Sequence, residues 1–214
     1  MTDAVVLLID DDPSVCRGVS RLLRSHGRQV QTYGSAKDFL HHPLPSVPAC
    51  IVLDLQMPEV SGLGLQRLLG QNRETLPIVF ISGHGSIPAS VRAMKEGAVD
   101  FLTKPFEDHQ LLEAIDTALN RAREAYARRD ALDRDCAVFH TLTAREQQVC
   151  LRVARGMLNK QIGGEFGTTE KTIKVQRGRV MKKLGAQSVA DVVRFVERLR
   201  AAGYLPAHSK LSGN

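Results

Sequence analysis

Five short apolar runs mark the first half of the chain, at 4–9, 28–32, 49–53, 77–81 and 98–102. Each has strand length, and amphipathic stretches lie between them. Val15, Val19, Leu22 and Leu23 form one helical stripe, and Leu63, Leu65, Leu68 and Leu69 form another. Val91 and Met94 mark a short third, and Leu111, Leu112, Ile115 and Leu119 a stripe after the fifth run. Strands alternating with helices predict a parallel sheet with right-handed crossovers. The third and fourth runs look apolar on both faces, as buried parallel strands are. Residues 41–48 hold three prolines and read as a loop. The expected fold class is α/β, a doubly wound five-stranded parallel sheet of order 2-1-3-4-5.

The pattern changes after residue 120. Residues 120–138 are rich in Arg, Ala, Glu and Asp. They predict a solvated helix that continues the fifth one as a semi-rigid linker. Residues 140–201 show only helical patterning, with turns near Gly156, Gly167 and Gly185. The end of the chain has few apolar residues. The expected division is an α/β domain over 1–120, a helical linker over 121–139, an all-α domain over 140–202 and a flexible tail over 203–214.

Charge sharpens that division. Residues 1–120 hold 14 Asp/Glu against 10 Lys/Arg, and residues 121–214 hold 19 Lys/Arg against 9 Asp/Glu. An acidic front and a basic back imply two domains with different partners, and the basic one suits a polyanion such as nucleic acid. Cys16, Cys50, Cys136 and Cys150 lack metal-type spacing and read as reduced thiols. No apolar run approaches the roughly 20 residues of a membrane span and no signal peptide opens the chain, so a cytoplasmic protein without membrane contact is expected.

The candidate chemistry lies at strand ends. Asp10, Asp11 and Asp12 follow the first run and Asp54 ends the third. With order 2-1-3-4-5 the topological switch point falls between strands one and three, where ligands bind beyond the carboxyl ends. Crowded carboxylates raise each other's pKa unless a cation sits among them. A hard dication bound through oxygen, Mg2+, answers that need. Ser82 closes strand four and Lys104 follows strand five on the same edge, a hydroxyl and an ammonium of the kind a phosphorylated carboxylate requires. His84, in a glycine-rich loop, is given no role.

These residues carry a family resemblance. Asp10-Asp11, Asp54 within Leu53-Asp54-Leu55-Gln56-Met57-Pro58, Ser82-Gly83-His84-Gly85 and Lys104-Pro105-Phe106 resemble the motifs of bacterial response-regulator receiver domains, over the whole of 1–120. The resemblance implies a flavodoxin-like receiver whose Asp54 accepts phosphate from a sensor histidine kinase. It implies Mg2+ held by Asp11, Asp54 and the backbone carbonyl of Gln56, with Asp10 acting through water. Lys104 would pair with the phosphate and Ser82 would hydrogen-bond to it. Phe101, three before Lys104, matches the family's switch aromatic, which would turn inward and change the face of helix four and strand five toward homodimerisation. One position departs from the pattern: Ser86 stands where an acidic residue is usual.

The basic half has its own signals. Leu142-Thr143-Ala144-Arg145-Glu146 is a capping-box pattern, Asn159 opens a short helix, and Thr169 is an N-cap candidate. Short helices on tight spacing suggest a helix-turn-helix, whose second motif helix enters the DNA major groove. On a wheel of the helix from Thr169 to Leu184, Ile173, Val180 and Leu184 share one sector. Lys171, Lys174, Val175, Gly178 and Lys182 lie opposite, a basic face with one apolar residue for a thymine methyl. Arg177, Arg179 and Lys183 flank it and suit phosphates.

Together with Asn159-Lys160-Gln161-Ile162, Thr172-Ile173-Lys174-Val175 and Met181-Lys182-Lys183-Leu184, this half resembles the LuxR-type four-helix DNA-binding domain over 142–200. The whole chain resembles the FixJ/NarL-type regulators, with Lys174 and Val175 as the best groove contacts. Here Leu158 replaces a usual small hydroxyl residue, Thr168 an aliphatic and Gln176 a common histidine, and Gly178 empties a frequent contact position. Gly163-Gly164 stand where an Ala-like residue is usual, at a cost of about 1 kcal/mol each. The expected function is a non-enzymatic two-component response regulator, a phosphorylation-switched DNA-binding transcription regulator. Its partners are a sensor histidine kinase, double-stranded DNA, a second copy of itself and RNA polymerase. The alternatives are a Mg2+-dependent phosphatase using Asp54 as nucleophile, and a DNA-binding protein that does not respond to phosphate.

Overall fold

A computed structural model describes residues 4–70, 75–83 and 87–206. His84 and Ser86, and the tail from residue 207, lie outside the described residues. The chain forms two compact units divided between Ala127 and Arg128. The division falls inside the stretch read as a linker.

The first unit is a five-stranded sheet of order β2-β1-β3-β4-β5, with β1 (Val5–Ile9), β2 (Gln29–Tyr33), β3 (Ala49–Asp54), β4 (Ile78–Ser82) and β5 (Asp100–Thr103) all parallel. β1, β3 and β4 are buried along their whole length because both sheet faces are covered. Edge strand β2 exposes Gln29, Gln31 and Thr32. One face packs Leu7, Ile9, Leu53 and Phe80 against Leu65 of α3 (Gly62–Leu69). The other packs Val6, Leu8, Val52 and Ile81 against Leu23 of α1 (Pro13–Ser25) and Leu111 and Ile115 of α5 (Asp108–His140). α4 (Ile87–Lys95) completes the helices with α2 (Ala36–His41), which the hydrophobic pattern does not mark. α2 has six residues and buries only Ala36 and Phe39, too short for a periodic signal.

The stretch expected as a solvated linker is helical, as part of α5, but it is not uniformly solvated. Ala122 and Ala125 are buried, and Phe139 belongs to the core of the second unit. Alanines among charges give no stripe in a hydropathy pattern, yet their small side chains permit close packing. That second core gathers residues from α6 (Ala144–Ala154), α7 (Asn159–Glu165), α8 (Glu170–Leu184) and α9 (Val189–Ala201). Gly156, Gly167 and Gly185 close the turns between these helices with positive φ of 78°, 63° and 62°.

Candidate functional site

Strand register builds the acidic pocket. Ile9 of β1 pairs with Leu53 of β3, so Asp10 and Asp54, each one residue on, leave the sheet side by side. Ser82 pairs with Thr103, which brings Lys104 to the same edge. The Lys104 N–H donates to the Ser82 carbonyl at 2.7 Å. Gly62 lets α3 start close by: a Cβ there would lie 2.4 Å from the Asp54 carbonyl oxygen.

Asp10 and Asp54 are 1% and 6% exposed. Lys104 Nζ donates to Asp10 Oδ2 and to Asp54 Oδ1, both at 2.7 Å. The remaining oxygens accept backbone N–H groups, Asp12 on Asp10 Oδ1 at 2.9 Å and Gln56 on Asp54 Oδ2 at 2.6 Å. Burial pushes the Asp54 carboxyl above its ordinary range, and Lys104 and the Gln56 N–H pull it back without cancelling that. Burial works against the Lys104 ammonium, but its bonds to the two carboxylates prevail and its pKa is raised.

The pocket differs from the sequence expectation in one respect. Among the described residues no three His, Cys, Asp or Glu side chains gather as a ligand cluster. Asp10 and Asp54 converge, while Asp11 is exposed and Asp12 is the N-cap of α1, accepting from Ser14 N at 2.7 Å. Lys104 supplies one positive charge to these two carboxylates. The donors still fit a hard dication. Two nearly buried carboxylates, the exposed Asp11 next in the chain and the Gln56 peptide are all oxygen donors. Ser82 is fully buried. Phe101 is half-buried and stacks on Phe80, ring centroids 6.2 Å apart.

In the second unit, Thr143 and Glu146 form the capping box of α6, and Thr169 caps α8. Leu158 precedes α7 without a side-chain cap. Lys171, Lys174, Val175, Gly178, Arg179 and Lys182 are exposed on α8, and Ile173 and Val180 are buried. Two flanking cations are already engaged. Arg177 is half-buried and donates to Asn159 Oδ1 at 3.1 Å. Lys183 donates to Glu146 Oε2 at 2.6 Å and to the Thr141 carbonyl at 2.9 Å. A wheel of α8 alone cannot reveal acceptors contributed by other helices. Gly163 is likewise not a simple weakness. A Cβ there would lie 2.9 Å from the Thr168 carbonyl oxygen, so the close turn between α7 and α8 needs glycine, whereas a Cβ on Gly164 or Gly178 meets nothing within 4 Å.

Fold and pocket define a receiver followed by a helix-turn-helix unit. The models of the response regulator receiver domain and of the bacterial regulatory proteins of the luxR family match residues 6–116 and 140–196. The chain belongs to the response regulators of two-component systems that carry a LuxR-type DNA-binding domain. It is 45% identical over 198 residues to nodulation protein W of Bradyrhizobium diazoefficiens, across 92% of this chain and 87% of that one. It is 37% identical over 207 residues to the transcriptional regulatory protein FixJ of Rhizobium meliloti, across 97% of this chain and all of that one. The solved structure of the response regulator StyR matches with a TM-score of 0.80 and 46% identity, over 92% of this chain and 99% of that one.

The class is one of transcription regulators, not enzymes, and it works with sensor kinases and DNA. Receiver domains as a class use Mg2+ in phosphorylation. Among the described residues no helix is long and apolar enough to cross a membrane.

Proposed function

We propose that Asp54 is the phosphoacceptor of a cytoplasmic, phosphorylation-switched regulator. The observation that carries this is Lys104 bridging Asp10 and Asp54 at the ends of β1 and β3. An Asp54 oxygen attacks the phosphorus of the donor, the bond from phosphorus to the donor breaks, and the donor leaves with the electron pair. Lys104 is within reach to neutralise the transferred group, and Ser82 lies at the adjoining strand end to bond to it. Asp11, Asp54, the Gln56 carbonyl and, through water, Asp10 would hold Mg2+, which supplies further positive charge to the same oxygens.

Phosphorylation adds charge and strong acceptors at Asp54. A Ser82 bond to the new phosphate would let Phe101 repack, a population shift between two packings. Ile87, Val91 and Met94 are 77%, 46% and 44% exposed at helical spacing on α4. Such an apolar stripe supports a homodimer that forms over α4 and β5. The dimer would bring paired α8 helices to DNA, with Lys174 and Val175 reading the groove, Lys171, Gly178 and Lys182 beside them, and Arg179 on phosphate. Arg177 would serve by holding Asn159.

Incubation with Mg2+ and a small phosphodonor should add one phosphoryl group by intact mass to wild type and none to Asp54→Asn. Uptake by the variant equal to wild type rejects the assignment. Lys174→Ala should weaken DNA binding by about 1–2 kcal/mol, with affinity falling steeply as salt rises. Unchanged affinity in a gel shift rejects the recognition face.

A further inference from the structure

We propose that the groove between α1 and β2 binds a chain of linked phosphates. Residues 1–120 carry net negative charge, yet three of their ten cations, Arg17, Arg21 and Arg24, line this groove. Arg28, next along the chain, is paired with Asp116. Among the described residues no ion pair or hydrogen bond engages the side chains of the other three. At i, i+4 and i+7 they form one stripe that extends about 10 Å along the helix axis. Cys16, Ser20 and Thr32 complete the lining, no carboxylate contributes to it, and the volume is about 380 Å3. Such a volume falls among those of small-ligand sites.

Ser20 adds a second, independent observation. It is 6% exposed, and its Oγ is buried without a hydrogen-bond partner. A hydroxyl left so costs stability, which a ligand oxygen would recover once a χ1 rotation of Ser20 turns the Oγ into the groove. Guanidinium groups bind phosphate oxygens through paired N–H donors. A single phosphate is too short to meet all three arginines, whereas linked phosphates can run along the stripe. A buried point donor in the wall favours a small ligand over a broad protein surface. The site is separate from the Asp54 pocket and does not depend on its phosphorylation.

The test is a 15N NMR titration of the full chain without Mg2+, using inorganic triphosphate, ATP and orthophosphate. Because α8 is also basic, location decides the result. Triphosphate should shift the amides of Ser20, Arg24 and Thr32 saturably, and orthophosphate should bind at least tenfold more weakly. ATP matching triphosphate identifies a nucleotide tail as sufficient, and ATP binding more weakly identifies a free phosphate chain. The triple variant Arg17→Gln, Arg21→Gln, Arg24→Gln should lose these shifts while keeping any on α8. Ser20→Ala, with its spectrum otherwise intact, should bind about tenfold more weakly, the loss of one charge-assisted hydrogen bond. Shifts confined to α8, shifts that survive the triple variant, or equal binding of orthophosphate would overturn the proposal.

Discussion

Two buried carboxylates, one in each unit, each bonded to a lysine, have opposite fates. Glu146 is 5% exposed and accepts from Lys183 Nζ at 2.6 Å and from Thr143 N at 2.9 Å. Its pKa is lowered, first by the Lys183 bond and then by the Thr143 N–H. Asp54 is nearly as buried, but it shares Lys104 with Asp10, and burial raises its pKa. The difference is one of stoichiometry. Glu146 has a lysine to itself and closes a capping box, so its charge stabilises the fold. Two carboxylates divide one ammonium at the receiver pocket, and the ionised Asp54 is held there at a cost. That cost leaves a site where added cationic charge is favourable, which suits phosphoryl chemistry more than stability.

Replacing each carboxylate by its amide tests this contrast. Glu146→Gln leaves Lys183 without its partner and weakens the cap, and should destabilise by about 2 kcal/mol in denaturant unfolding. Asp54→Asn should melt at or above wild type, because the neutral amide avoids the burial penalty and leaves Lys104 paired with Asp10. If both variants lose stability equally, the distinction between a structural and a functional carboxylate fails.

Acidification should separate the same two groups more finely. Glu146, with its folded pKa below 4.5, contributes stability that is present above pH 4.5 and lost as pH falls through the folded value. Asp54, with its folded pKa above 3.8, holds its proton more tightly when folded. Its penalty is full above that raised value and is relieved as pH falls toward 3.8. The deficit of Glu146→Gln and the advantage of Asp54→Asn should therefore both shrink toward acid pH, from opposite sides of the wild-type melting temperature. Differences that stay constant with pH would remove the electrostatic explanation.

The parts legible in the sequence are those set by local pattern. β1, β3 and β4 carry continuous apolar runs because both faces are covered, and strand ends alone bring Asp10, Asp54, Ser82 and Lys104 to one edge. What the pattern leaves out depends on partners distant in the chain. Lys183 reads as a phosphate contact until Glu146, 37 positions upstream, is seen to hold it. Lys104 reads as a phosphate partner, and its bonds to Asp10 and Asp54, 94 and 50 positions upstream, have no signal in the local pattern. α2 is short, and the buried alanines of α5 lie among charges, so neither departs visibly from a loop or a solvated helix.

Gly163 and Gly164 carry the smallest effect. Adjacent and identical in sequence, they would each cost α7 about 1 kcal/mol relative to alanine if helix propensity alone mattered. The surroundings divide them. A methyl group on Gly163 would press on the Thr168 backbone oxygen, which belongs to the turn into α8 and cannot swing away as a side chain would. A methyl group on Gly164 meets open space. Gly164→Ala should therefore stabilise by about 1 kcal/mol. Gly163→Ala should destabilise by about 1 kcal/mol or more, because overpacking against backbone exceeds the propensity gain. Chemical denaturation of the two variants measures the difference directly. If Gly163→Ala also stabilised the protein, the α7–α8 turn would have slack, and the glycine would be a tolerated weakness instead of a packing requirement.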